Sequence, residues 1–144
     1  TNSFSIRGYE SIYNKSVLGM NNYIGLGPSA HSRLLVDRRF IKYRNTKNIS
    51  NWLGSQTNLY KKEIMSKKKA LEEFLFLGLS KFDGVSFEHF EKLTGYAAEK
   101  YINMKNLAAL KKKNLLYEKK GMILLKEKGM LLINSILSAM LEKN

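Results

Sequence analysis

The sequence predicts an α+β chain, mainly helical, with a winged-helix-like C-terminal domain after a short β segment. Three observations predict it. Extended apolar-polar runs follow a glycine-rich loop between positions 23 and 44. From position 66, Ser or Gly punctuates apolar stretches at helical spacing. The run LLYEKKGMILLKEKG then carries a hairpin signature at Lys120-Gly121. Helix, short turn, helix and hairpin is the order of a winged helix.

The elements follow in chain order. Residues 1–21 have no clean period. Tyr23 to Gly27 reads as a short strand entering a tight loop. Arg33 to Val36 and Arg38 to Arg44 read as strands with a turn near Asp37. Thr46 is placed to cap a short helix carrying Ile49, Trp52 and Leu53, closed by Gly54. The linker QTN at 56–58 divides the chain into a first domain, 1–57, and a second, 58–144. Ser66 is placed to cap a helix through ALEEFLFLGLSKF, with Leu71, Phe74, Leu75, Leu77, Leu79 and Phe82 apolar nearly all round, the pattern of a buried helix. Asp83-Gly84 ends it. Ser86 caps FEHFEKL and Gly95 stops that helix. A third helix is expected over 97–114, with Tyr101, Ile102, Met104, Leu107 and Leu110 on one stripe. The hairpin and a last helix, MLLINSILSAML, complete the chain.

Composition bounds the chemistry. The chain has 144 residues, 44% hydrophobic and 26% charged, enough to build a core. There is no cysteine, which removes disulfides, thiolate zinc sites, cysteine nucleophiles and a self-contained iron–sulfur cluster. Two histidines, His31 and His89, are too few for an all-protein metal site. No apolar run is long enough for a membrane span, and the polar start is no signal peptide. The reading is a cytoplasmic protein, and the missing initiator methionine points to a piece of something longer. The net charge is +13, spread over both halves. That permits phosphate contact. Its bland counterpart is a lysine-rich solvated surface.

YIGLGPSAHS, residues 23–32, is the stretch richest in small residues. Gly25-Leu26-Gly27-Pro28-Ser29-Ala30 fits the dinucleotide fingerprint G-x-G-x-x-A in letters alone. The fingerprint needs a helix at the second glycine and an acid about 20 residues on. Pro28 and the basic 44–47 stretch deny both. A tight turn needing positive φ at glycine is the plain reading. His31 is a candidate general base or metal ligand, set against a hydrogen-bonded structural histidine. His89 follows the Ser86 cap as a helix-surface residue. Met104, Met122, Met130 and Met140 fall at core spacing. A winged helix invites a DNA-binding reading, with the third helix as reader. Its first turn, Ala97-Ala98-Glu99, offers no base-reading side chain, and no arginine occurs after Arg44. Contact with nucleic acid is therefore expected to be weak and non-specific at most.

Four stretches in order carry a resemblance: GYESIYN, YIGLGPSAHS, RRFIKYRN and ALEEFLFLGLSKFDGVSFEHFEKLTG. Together they resemble the C-terminal part of the oxygen-independent coproporphyrinogen III oxidase-like radical-SAM family, in the group containing the bacterial haem chaperones. The resemblance implies that residues 1 to about 45 close a radical-SAM barrel and that a helical domain follows, covering the barrel and shaping substrate or partner binding. It implies a four-iron cluster, held by CxxxCxxC, and S-adenosylmethionine, both in an N-terminal barrel outside these residues, so that the piece is inactive alone and carries no cofactor itself. Gly25, Gly27, Ser29 and Ala30 would border S-adenosylmethionine. Tyr13, Asn14 and His31 would lie toward a porphyrin or haem. The haem chaperones' H-N-x-x-Y-W motif is matched here only by Asn14, among Tyr13, Asn14, Val17 and Leu18, and the usual arginine after LGL is Ser80. The expected partners are the barrel, a porphyrin or haem, and a second copy. The alternative from another class is an independent winged-helix nucleic-acid-binding domain, and a third is a protein-interaction module.

Overall fold

A computed structural model describes residues 9, 11–54, 60–80 and 84–142, without the side chains of Tyr13, Lys15 and Leu18. The 57/58 boundary, Phe82 and Asp83 lie outside them. The chain divides into two compact units, one formed by residues 11–66 and one by residues 1–10 with 67–144.

In the first unit, helix α1 spans Ile12–Leu18. It ends at Met20, which is buried with φ 59°. The two expected strands are β1, His31–Val36, and β2, Arg39–Asn45. They pair antiparallel, with Leu34 opposite Ile41 and Leu35 opposite Phe40. Asp37 and Arg38 both take positive φ, 47° and 60°, the geometry that lets a two-residue turn follow the strand twist. Helix α2, Ile49–Gly54, buries none of its residues. Its cap is Asn48, whose Oδ1 accepts from the Asn51 N–H at 2.9 Å. Thr46 Oγ1 instead accepts from the Asn48 N–H, one step before the helix. A third strand, β3, Tyr60–Ile64, pairs antiparallel with β2, giving the order β1-β2-β3. Its side chains are all exposed, so it shows no apolar alternation in the sequence. Met20, Ser32, Arg33, Phe40 and Met65 are the buried residues described in this unit.

In the second unit, helix α3 spans Lys67–Leu79. Ala70, Leu71, Phe74, Leu75 and Leu79 are buried, while Glu72 and Phe76 face solvent. The helix is thus covered on one side, not all round. Helix α4, Phe87–Thr94, begins where the sequence places it, with Ser86 Oγ accepting from the His89 N–H. It ends at Gly95 in the left-handed conformation, φ 71°. The Phe90 and Phe74 rings lie 5.2 Å apart, joining α4 to α3.

The expected helix over 97–114 is two elements. A 3-10 turn, Ala98–Tyr101, precedes helix α5, Met104–Lys112. Asn103 separates them: its Oδ1 caps the Asn106 N–H at 3.1 Å, and its own N–H donates to Met140 O at 2.7 Å. An Asn side chain that can bond the backbone competes with the helix and favours a cap. The hairpin is β4, Leu116–Lys119, and β5, Met122–Leu125, turning at Lys120 and Gly121 with φ 51° and 72°. The last helix is also divided, into α6, Glu127–Met130, and α7, Ile133–Leu141. Helices α3 and α5 pack on α7. Val85 bridges to Ile123, exchanging N–H···O bonds of 2.8 and 2.7 Å, which ties the α3–α4 connection to the hairpin.

Candidate functional site

The loop between α1 and β1 holds most of the residues that the sequence marks. Its backbone is closed by its own bonds. Tyr23 and Arg33 exchange two N–H···O bonds, 2.9 and 3.0 Å. The Gly25 N–H donates to Ser32 Oγ at 3.0 Å. The Ser29 N–H donates to Thr46 O at 2.8 Å, and the Asn45 N–H to Ala30 O at 2.9 Å. The Asn45 side-chain amide holds Gly27 O at 2.9 Å.

Two positions require small or permissive backbone. A Cβ on Gly25 would clash with the His31 carbonyl oxygen, so the loop's own closure occupies that space. Gly27 takes φ +102°, and its Cβ direction is open. Ser29 also lies at positive φ, 60°. The expected tight turn is therefore present, and no helix starts at the second glycine. With the backbone tied down, Ile24 and Leu26 project into solvent, 70% and 89% exposed.

Arg33 is the residue that sequence reasoning missed. It is 1% exposed, beneath the loop. Its guanidinium donates to Val17 O at 2.7 Å, at the C-terminal turn of α1, and lies 5.2 Å from the Tyr23 ring centroid. A cation at a helix C-terminus meets exposed carbonyls. Arg33 thus pins the loop to α1. The only sequence signal is an arginine on the inward phase of an alternating strand. Asn22 and Asn45 were missed likewise. Asn22 Oδ1 accepts from the Leu35 N–H at 2.6 Å.

The other marked residues disperse. His31 is exposed at the start of β1, opposite Arg44. Asn14 is exposed on α1, its N–H donating to Ser11 Oγ. Tyr13 lies on the same helix, its side chain outside the description. His89 is exposed on α4, its ring centroid 6.0 Å from that of Phe74. Near it, Glu88 and Lys92 form a 2.6 Å ion pair, and that bonded ammonium holds the Glu88 carboxyl below its ordinary value. On α5, Lys111 pairs with Glu118 of β4 at 2.5 Å.

Among the described residues, no three His, Asp or Glu side chains converge as a metal site. The chain's donor set, with no thiolate, does not fit an iron–sulfur cluster. No helix among the described residues is long and apolar enough to cross a membrane.

Comparison with known proteins yields three matches. Residues 65–132 match the HemN C-terminal domain family. The chain is 32% identical over 115 residues to the heme chaperone HemW of Lactococcus lactis subsp. lactis (strain IL1403), an alignment covering 73% of this chain and 29% of that one. It superposes with a TM-score of 0.55 and 21% identity on the coproporphyrinogen III oxidase (HemN) of Escherichia coli, described as a radical SAM enzyme, over 83% of this chain and 28% of that one. The last likeness is one of fold. The chain spans less than a third of the length of either protein.

Proposed function

We propose, for a chain whose residues 65–132 match the HemN C-terminal domain family, that it works as the C-terminal portion of a HemN- or HemW-like radical-SAM protein and is inactive by itself. The 67–142 unit, read as winged-helix-like, covers a barrel supplied by sequence N-terminal to these residues. The 11–66 unit adds the closing strands and the loop. Gly25, Gly27, Ser29 and Ala30 form a wall beside S-adenosylmethionine, while Asn14, Tyr13 and His31 lie toward a porphyrin or haem.

The observation that carries this reading is the loop. Its backbone bonds are spent internally, yet Ile24 and Leu26 stay outside. A stiff turn with apolar side chains held outward suits a wall that excludes water from a neighbouring cavity. When bound in such a protein, the cluster and S-adenosylmethionine supply one-electron chemistry. This chain has no thiolate to hold the cluster. Its own residues shape and dry the site: Arg33 fixes the loop against α1, and Leu26 presents apolar surface.

The nucleic-acid alternative gains no reader on α5. The Asn106 amide on α5 donates to Ala139 O at 2.8 Å within the fold, so it is not free to read a base.

The test has two parts. This chain, treated with iron and sulfide, gives no cluster absorbance that survives desalting. In the protein that includes the coding sequence upstream of Thr1, Leu26→Asp weakens S-adenosylmethionine binding by about tenfold, or ~1.4 kcal/mol. A stable cluster in this chain alone, or an upstream sequence without CxxxCxxC, overturns the proposal.

A further inference from the structure

The sheet of the 11–66 unit carries a row of two cationic side chains and a histidine. In its antiparallel register His31 stands opposite Arg44, and Arg44 opposite Lys61. All three are exposed. Neighbouring strands run about 4.8 Å apart, so an imidazole, a guanidinium and an ammonium are rooted within about 10 Å of one another. Alternation puts Arg33, Lys42 and Glu63 in the next row of the same face. Beyond them the face closes over Phe40.

The nearest acid is Glu63, in the next row two positions along β3 from Lys61. Residues 11–66 hold nine Lys/Arg against two Asp/Glu, Asp37 and Glu63. Asp37 is in the β1–β2 turn, at the far end of the strands from His31. Like charges directly opposite on a sheet repel and destabilise the pair. Arg44 and Lys61 nevertheless face each other, and neither is buried in the core. An anion seated between them turns that repulsion into attraction.

We propose that the His31–Arg44–Lys61 row binds a compact polyphosphate group, such as the diphosphate of a nucleotide. The arrangement fits that chemistry. Arg44, in the centre, offers a planar fork for two oxygens, and Lys61 and His31 flank it as single-point donors. A di- or triphosphate concentrates two or three charges over the short span that the row covers. A dicarboxylate of similar length offers less charge to the same three groups. The site lies on side chains of this chain alone and does not depend on the radical-SAM reading, so its test is a binding measurement with no reaction in it.

The full chain is titrated calorimetrically at low salt with pyrophosphate, with ADP and with glutarate. Pyrophosphate and ADP bind saturably with one site. The double variant Arg44→Ala/Lys61→Ala weakens pyrophosphate at least about tenfold, ~1.4 kcal/mol. Lys119→Ala/Lys120→Ala, which removes the same net charge from the exposed β4–β5 hairpin, changes it less than about twofold. His31→Gln alone, the mildest change, weakens it about threefold, so the proposal stands or falls even if the double variant is poorly folded. Equal losses in the two double variants mean diffuse attraction to a +13 surface and overturn the site. So does the absence of saturable binding, an unchanged His31→Gln, or glutarate binding as tightly as pyrophosphate.

Discussion

Gly84→Ala tests how the second unit is locked together. Gly84 follows α3 and precedes the Val85–Ile123 bridge, with φ +76°. A Cβ there would collide with the Ile123 carbonyl oxygen and lie 2.7 Å from Leu124 Cγ. The left-handed conformation costs an alanine about 1–2 kcal/mol. Forcing a methyl group against packed atoms costs about 1–3 kcal/mol more. The neighbouring backbone cannot yield cheaply, because Val85 and Ile123 are joined by two hydrogen bonds. The expected loss is therefore about 2–5 kcal/mol, a large share of the roughly 5–15 kcal/mol that holds a domain folded. Gly121→Ala is the control. Its φ is +72°, but nothing lies within 4 Å of its Cβ direction, so only the conformational cost of about 1–2 kcal/mol applies. Urea unfolding followed by far-ultraviolet circular dichroism measures both. With m about 2 kcal/mol/M, the middle of the usual urea range, the Gly84→Ala midpoint falls by about 1–2.5 M and clearly below that of Gly121→Ala. If the two midpoints coincide, the close approach of Gly84 to the hairpin does not contribute and the reasoning fails.

Two further outcomes follow from side chains in the same unit. Asn103→Ala removes the α5 cap and lowers stability by about 1–2 kcal/mol in urea unfolding, while Asn103→Asp, which can still cap, recovers more than half of that loss. Glu88→Gln gives a pH-dependent difference: because Lys92 depresses the folded-state Glu88 pKa, the stabilising contribution is present above the ordinary carboxylate range and disappears as pH falls through the lowered value. Urea midpoints of the two proteins should differ slightly at neutral pH, converge in strong acid, and converge at neutral pH in high salt; a difference that grows in acid contradicts this.

What the sequence tells is uneven, and the reasons are physical. Ser86, Gly95 and Lys120-Gly121 act on residues within three or four positions, so local chemistry announces them. The strand β3 has no such announcement. Its side chains are solvated, and what makes it a strand is its backbone pairing to β2, about twenty residues earlier in the chain. The break at Asn103 depends on a bond to Met140 O, far along the chain. Apolar spacing alone reads straight across it. Thr46 and Asn48 are both plausible caps by type, and geometry selects Asn48. In the candidate site, the glycines mark the turn plainly. Arg33 does not mark itself, because its burial rests on carbonyls of α1 that no local pattern points to.

The sheet of the 11–66 unit has unlike sides. On the β1 side, Tyr23 bridges to Arg33 and the Asn22 side chain takes the Leu35 N–H. On the other, β3 is the edge, with Lys61 and Lys62 along it. A sheet with one capped edge and one outer strand has a valence of one. Two copies can join through β3, with their lysines brought face to face, but a third finds no end to add to among the described residues. Growth into a fibre needs two free ends. The few residues at 22–25 therefore act as a chain terminator for this sheet: among the described residues, edge-to-edge growth of the β1-β2-β3 sheet stops at a pair.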